Sequence, residues 1–217
     1  MGLRKRLGIV RSTAVDPRQS GHQTDRLDGI GDILRRARGA SLLDIGTNRG
    51  LVAYEFAWHG ANVVHGCDIY EPGIATAREV FATMPCQSRF VLADLLEGPG
   101  NLVRAFGSDY RSSYDIVLFL AVYQKVRDLM TADARTALLE HLASRTAKYF
   151  VFRDWITHYP EVAKQLKLSG LYQIHYSLLG PFAQSAASIW TRKNVVQFAG
   201  IEQYHDAHDI DGDAHVA

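Results

Sequence analysis

The sequence predicts an α/β protein built on a seven-stranded, mostly parallel sheet with helices on both faces. Three observations lead to this prediction. Short apolar segments alternate with segments of helical periodicity over most of the chain. A glycine-containing turn joins the first strand to the next helix, and an aspartate lies at the end of each of the first three strands. The 217 residues, 47% of them hydrophobic, suffice for one such domain and are too few for two.

The first strand, at 41–45, leads into a turn that contains Gly46 and Gly50. Glycines let the backbone approach a ligand closely, and the helix that follows directs its free N–H groups to the same place. The turn is not a dinucleotide fingerprint, because Asn48 and Leu51 occupy positions where that pattern needs glycine. Asp44 would also repel a pyrophosphate, whereas it suits a cationic ligand.

The run Asp44-Ile45-Gly46-Thr47-Asn48-Arg49-Gly50 resembles motif I of the class I S-adenosylmethionine-dependent methyltransferases. That motif is an acidic residue followed by Gly-x-Gly-x-Gly. Asn48 replaces the middle glycine, and asparagine tolerates left-handed backbone better than most residues. The resemblance implies that S-adenosylmethionine is the cofactor and that the reaction is methyl transfer. It also implies that the two closing strands pair without a crossover helix and that the last strand of the sheet is antiparallel.

The second and third strands, at 61–68 and 89–93, also end beside carboxylates. Asp68 lies 24 residues after Asp44, close to the spacing at which an acidic side chain meets a ribose. The resemblance implies that Asp68 binds the ribose and that Asp94 accepts from the adenine amino group. Two alternatives stay open: Asp68 could cap the helix that begins near Glu71, and Asp94 could be a solvated strand end. The cofactor-binding residues predicted in this way are Asp44, Ile45, Gly46, Thr47, Asn48, Gly50, Asp68, Ile69, Asp94, Leu95, Leu120, Ala121 and Tyr123.

The other elements are predicted from periodicity and from their end signals. A capping Thr24 and apolar residues at helical spacing predict a helix that Gly39 ends. Further helices are predicted at 51–58, 74–81, 131–146 and 160–168, and a short helix with a loop near 97–107. Further strands are predicted at 114–120, 148–153, 171–178 and 187–191. The cofactor-binding domain is expected to span 24–195, between a flexible basic arm at 1–23 and a polar tail at 196–217.

The segment after the fourth strand, from Ala121 to Lys125, is expected to face the methyl acceptor. It resembles that of small-molecule and saccharide methyltransferases, although many of those have histidine where Gln124 stands, and glutamine cannot act as a base. There is no Asn/Asp-Pro-Pro-Tyr of base-amine methyltransferases and no Pro-Cys at this position. The candidate general bases are Tyr123, Lys125, Asp154 and His158, with His175 as a fifth.

Composition narrows the function classes. A net charge of +1 gives no electrostatic argument for a nucleic-acid partner, and no apolar run is long enough to span a membrane. Cys67 and Cys86 have no metal or redox spacing, and the His- and Asp-rich tail is interpreted as solvated, so no metal is expected. Without a secretory signal in the sequence, a cytoplasmic location is the expectation.

The leading hypothesis is an S-adenosylmethionine-dependent methyltransferase that acts on a small-molecule or glycan-like acceptor, at oxygen. A cofactor-binding subunit that has lost catalysis at Gln124 is an alternative from another class. An RNA methyltransferase that uses the basic arm is a further alternative, and it requires salt-dependent RNA binding. A nicotinamide-dependent oxidoreductase is disfavoured by Asn48 and Leu51.

Overall fold

A computed structural model of the chain describes residues 27–180 and 184–192. Its strands are β1 (Ser41–Ile45), β2 (Val63–Asp68), β3 (Gln87–Leu92), β4 (Tyr114–Leu120), β5 (Thr146–Trp155), β6 (Leu171–Leu179) and β7 (Ser185–Arg192). They form one sheet in the order β3-β2-β1-β4-β5-β7-β6. The first five strands are parallel, and β7 is antiparallel to both β5 and β6. The predicted fold class is confirmed.

Helices cover both faces of the sheet. They are α1 (Leu51–Trp58), α2 (Glu71–Phe81), α3 (Pro99–Phe106), α4 (Tyr123–Val126), α5 (Ala132–Ser144) and α6 (Tyr159–Leu168). Successive residues of a strand point to opposite faces, so β4 supplies Ile116 and Leu118 to one core cluster and Val117 and Phe119 to the other. A strand buried on both faces must be apolar throughout, which is why β4 reads as a continuous hydrophobic run.

The structure corrects the helix predicted from Thr24 to Gly39. The described part of that segment contains a 3-10 helix, Gly31–Arg36, instead of a long α-helix. Gly29 has a φ of +71°, a left-handed conformation that interrupts a right-handed helix. The apolar residues Leu27, Ile30 and Ile33 are nevertheless buried against the sheet. Hydrophobic spacing predicted the buried face correctly, but the predicted type of helix was wrong.

The strand ends also differ from their predicted bounds. β5 continues to Trp155, so Asp154 lies within the strand instead of after it. β7 extends over Ser185–Arg192, longer than the predicted 187–191. Thr24, the arm at 1–23 and the tail at 196–217 lie outside the described residues. Within the described ranges there is neither a helix long and apolar enough to cross a membrane nor a cluster of His, Cys, Asp and Glu that could hold a metal ion.

A polar tie joins the amino-terminal ends of the three central strands. Asp115 of β4 accepts hydrogen bonds from the backbone N–H and the hydroxyl of Ser41 in β1, at 2.8 and 2.9 Å. Its other oxygen pairs with Lys148 of β5 at 2.8 Å. Partial burial tends to raise the pKa of Asp115, but the bonds from Lys148 and Ser41 outweigh it, and the pKa lies below its usual 3.8.

We predict that Asp115→Asn lowers the free energy of unfolding by about 1 kcal/mol at neutral pH, because a charge-assisted network is lost. A depressed folded-state pKa stabilises the protein above the unfolded value and loses that contribution as the pH falls through the folded value. The difference in the free energy of unfolding between wild type and variant should therefore become smaller below about pH 3.8. Urea denaturation across pH measures it.

Asp109→Asn is the matched control. Asp109 pairs with Arg89, and both side chains are more than half exposed. Its loss should change stability by less than about 0.5 kcal/mol at any pH. Equal losses of stability in the two variants would show that the network at Asp115 contributes no more than an exposed ion pair.

Candidate functional site

One pocket lies at the carboxyl ends of the parallel strands. It has a volume of about 760 Å³ and is lined by residues that end or follow β1, β2, β3, β4 and β5. In open α/β sheets ligands bind at this edge, where the strand order reverses between β1 and β4. The volume is in the range of small-molecule sites.

The turn between β1 and α1 forms the floor of the pocket. Gly46 has a φ of +77°, and a Cβ placed on it would lie 2.1 Å from Cγ2 of Val122. Asn48 is also left-handed, with a φ of 51°, and Gly50 caps α1 at a φ of 74°. The glycines are therefore required by backbone conformation and by close approach, as the sequence motif suggested.

Asp68 holds this turn in place. Its Oδ2 accepts from the backbone N–H of Asn48 at 2.8 Å, and its Oδ1 accepts from that of Tyr70 at 2.9 Å. Tyr70, and not Asp68, is the N-cap residue of α2, so Asp68 holds the approach to that helix without being the cap that the alternative interpretation expected. An ionised carboxylate has about four acceptor positions, and about two are left for a ligand. Asp68 also lines the pocket, so structural and binding roles are compatible.

The third carboxylate is fixed in a similar way. Asp94 Oδ1 accepts from the N–H of Leu96 at 2.8 Å and caps a short 3-10 helix, Leu95–Glu97. The backbone N–H of Asp94 in turn donates to Oδ1 of Asn101 at 3.0 Å. Asp94 and Leu95 both line the pocket, with the Asp94 side chain held by its own loop.

The floor also contains a polar atom that suits a ligand. The Thr47 hydroxyl oxygen is buried and has no hydrogen-bond partner among the described residues. Burying a hydroxyl without a partner costs free energy, so such atoms in native proteins commonly meet a ligand or water. Together with Asp44 on β1, Thr47 gives this end of the pocket a polar, acidic lining.

On the opposite side, Asp154 organises the wall. The side chain is buried and accepts from the backbone N–H groups of Gln124 at 3.0 Å and Trp155 at 2.7 Å. Nδ1 of His158 lies 2.9 Å from Asp154 Oδ1, and the His158 ring stacks on Trp155 at 5.7 Å. This carboxylate ties α4 to the end of β5, which fixes the shape of the wall.

The sheet order with its antiparallel β7, together with the glycine turn and the acidic strand ends, decides the fold. The chain has the class I methyltransferase fold. Magnesium protoporphyrin IX methyltransferase from Synechocystis, with bound S-adenosylmethionine, superimposes at a TM-score of 0.61. It is 21% identical, and 83% of this chain and 84% of that chain are covered.

Two further solved structures support this assignment. A TehB-like S-adenosylmethionine-dependent methyltransferase from Corynebacterium glutamicum is 16% identical over 82% of this chain and 100% of that one, at a TM-score of 0.54. A putative RNA methyltransferase from Pyrococcus horikoshii is 13% identical over 76% and 81%, at 0.53. No protein family profile matches the sequence, and no curated protein matches it. The likeness therefore lies in the fold.

Most residues singled out in the sequence line this pocket. They are Asp44, Gly46, Thr47, Asn48, Asp68, Ile69, Asp94, Leu95, Leu120, Ala121, Lys125 and Asp154. Ile45 and Gly50 do not: Ile45 points into the core, and Gly50 contributes backbone conformation at the start of α1. Strand alternation explains Ile45, because its neighbours Asp44 and Gly46 take the other orientation.

Three of the candidate bases are not brought to the pocket. Tyr123 is fully buried against Phe119 and Phe152, and this burial raises the pKa of its hydroxyl above the usual range. His158 lies behind Asp154 and is not part of the lining. His175 lies in β6 with its Nε2 2.9 Å from the hydroxyl of Ser177, beside a separate cavity.

Sequence reasoning missed several pocket residues. They are Val52, Cys67, Ala93, Leu96, Val122, Val126, Leu129, Arg153, Trp155 and Ser185, and Gln124 was noted only as a failed base. Most are apolar residues, which no chemical motif marks. Ala121 carries a signal that only the structure reveals: its φ is 56°, and it is one of two non-glycine residues with positive φ in the described ranges. Both, Asn48 and Ala121, line the pocket.

We predict that Gly46→Ala destabilises the protein more than Gly170→Ala. Both glycines have a φ near +77°, so left-handed strain costs about 1 kcal/mol at each. At Gly170 the nearest atom to an added Cβ is 3.6 Å away, whereas at Gly46 it overlaps Val122. Overpacking at Gly46 should add about 1–3 kcal/mol to the loss of stability, which chemical denaturation measures. Val122→Ala in the Gly46→Ala background should recover much of the difference, and equal losses in the two single variants would contradict the overlap.

We also predict that Ala121→Gly raises the free energy of unfolding by about 0.5–1 kcal/mol. Relief of left-handed strain exceeds the entropy that glycine adds to the unfolded chain. Ala82→Gly is the control. Because Ala82 has a φ of −57°, the same change there should lower the free energy of unfolding by about 0.5–1 kcal/mol. Thermal unfolding of both variants tests the pair, and a loss of stability in Ala121→Gly would refute the strain.

Proposed function

We propose that the protein is an S-adenosylmethionine-dependent methyltransferase that acts on a small-molecule acceptor at oxygen. One observation carries the proposal: Asp44, Asp68 and Asp94, from three adjacent parallel strands, line one pocket around the Gly46 turn. A nucleoside with a positively charged sulfonium and ammonium group is complementary to such a site. The fold supports the proposal, because two superimposable structures hold S-adenosylmethionine and S-adenosylhomocysteine.

The residues of the pocket fit this cofactor. In our proposal the free acceptor positions of Asp68 take the ribose hydroxyls, and Asp94 with the Leu95 backbone takes the adenine. Ile69, an exposed apolar side chain that lines the pocket, covers the adenine ring. Asp44 and Thr47 take the amino-acid end, where the buried Thr47 hydroxyl needs a partner. The cofactor, when bound, supplies an electrophilic methyl group.

The chain itself contributes mainly alignment. Direct displacement needs the acceptor atom in line with the bond that breaks, and holding it there supplies much of the rate. The Asp154 contacts keep Gln124 and Trp155 in fixed positions on the acceptor side. Neighbouring structures are named for porphyrin, ribosomal protein L11 and RNA methylation, so the fold does not fix the acceptor.

The RNA alternative rests on the arm at 1–23, which lies outside the described residues, and no described feature favours it. The alternative of an inactive cofactor-binding subunit shares the pocket and differs only in turnover. A turnover assay therefore separates it from an active enzyme.

We predict that S-adenosylhomocysteine binds the full chain and that Asp68→Asn weakens binding by about ten- to a hundredfold. The change removes charge-assisted hydrogen bonds, each worth about 1.5–3 kcal/mol. Asp128→Asn is the control, because Asp128 is 79% exposed and lies outside the pocket lining. Calorimetric titration measures both, with denaturation curves to show that the variants are folded. Absence of binding to the wild-type chain would refute the proposed function.

A further inference from the structure

We infer that the methyl acceptor is an apolar small molecule that carries a carboxylate, and that a carboxylate oxygen receives the methyl group. The acceptor is received by the side of the pocket that Lys125, Leu129 and Trp155 form. This inference rests on the proposed function and deepens it by naming the substrate class. It stands on three features of that side: its charge, its apolar rim and the chemistry of its polar groups.

The pocket is divided by charge. The carboxylates of Asp44, Asp68 and Asp94 come from the ends of β1, β2 and β3, on one side of the strand-order reversal. Lys125 of α4 and Arg153 of β5 line the pocket on the other side. The Asp154 carboxylate on that side is enclosed by hydrogen bonds from the backbone of Gln124 and Trp155. Lys125 makes no ion pair with any residue in the described ranges. An anionic acceptor is attracted to the cationic side and repelled by the acidic one, which keeps the two ligands apart.

The rim on the cationic side is apolar. Leu129 is 70% exposed and Trp155 is 56% exposed, and both line the pocket with Val126. Large apolar side chains that stay in water at the mouth of a cavity indicate a ligand with apolar surface. A sugar could stack one face on the Trp155 indole, but Leu129 and Val126 offer its hydroxyl groups no hydrogen-bond partner. The rim therefore points away from the glycan-like acceptor that the sequence suggested and towards an apolar one.

The described lining of this side offers no group suited to remove a proton. Asp154 already has three hydrogen-bond partners, the backbone N–H groups of Gln124 and Trp155 and the ring of His158, so most of its acceptor positions are occupied. The Lys125 ammonium has no acceptor, and Gln124 cannot act as a base. Neither histidine nor tyrosine is found among the described lining residues. Burial raises the pKa of the Cys67 thiol to about 12, so the thiol stays protonated. An acceptor whose nucleophilic atom carries no proton is therefore the one that suits the described lining best.

A carboxylate meets this requirement. Its pKa is about 4, so it is ionised at neutral pH, whereas an alcohol must lose a proton and an alkyl amine is mostly protonated. A carboxylate oxygen forms the new bond to the methyl carbon while the carbon–sulfur bond breaks and its electron pair stays on sulfur. The products are a neutral methyl ester and a neutral thioether, and no proton has to move. An ammonium acceptor would also be repelled by Lys125.

The test compares two ligands of the same shape, 2-naphthoate and 2-naphthamide, on the full chain saturated with S-adenosylhomocysteine. We expect 2-naphthoate to bind at least about tenfold more tightly, because only it carries a charge for Lys125. Lys125→Met should remove the preference, whereas Lys164→Met, an exposed lysine of α6, should retain it. Trp155→Ala should weaken both ligands, and Trp58→Ala, equally exposed at the end of α1, neither. Calorimetric titration gives the affinities of all variants.

A second readout uses S-adenosylmethionine and detects methyl 2-naphthoate by mass spectrometry. Ester formation supports the inference. Equal affinities for the two ligands, no binding of either, or binding without ester formation would each overturn it, and the last would favour an inactive cofactor-binding subunit. If S-adenosylhomocysteine itself fails to bind, the proposed function fails and the acceptor class falls with it. If it binds and only the preference is missing, the acceptor class alone is wrong.

Discussion

The hydrogen bond from the Asn48 backbone to the Asp68 carboxylate is the contact on which the site depends most directly. It joins the turn after β1 to the end of β2, and the same carboxylate fixes the entry to α2 through Tyr70. Without it, the left-handed backbone at Asn48 would lack its main support. Because Asp68 can still accept further bonds, the group that builds the turn can also bind a ligand.

A wider constraint lies behind that contact. Parallel strands bring all their carboxyl ends to one edge of the sheet, so side chains that are distant in sequence meet there because of the strand direction alone. The same constraint puts Asp115, Ser41 and Lys148 together at the opposite edge, where they tie the central strands. One edge therefore concentrates stabilising contacts, and the other is left for a pocket whose backbone is partly strained at Asn48 and Ala121.

The acceptor side follows a different logic from the cofactor side. On the cofactor side, short loops place backbone and carboxylates directly, so a few residue types at fixed spacing are enough. On the acceptor side, the wall is formed by α4, Leu129 and the end of β5, held together through Asp154. Charge and apolar surface, instead of a motif, give this side its character.

The sequence by itself determined the fold class, the buried strands and the acidic ends of β1, β2 and β3, because these depend on local periodicity and on residue types at fixed spacing. It could not show that Tyr123 packs into the core or that β5 continues to carry Asp154 within the strand. The α-helix that the sequence predicted from Thr24 to Gly39 was also wrong, because the left-handed backbone at Gly29 interrupts it. Only the tertiary structure decided which side chains of the β4 and β5 ends face the pocket, since that depends on packing between elements far apart in sequence.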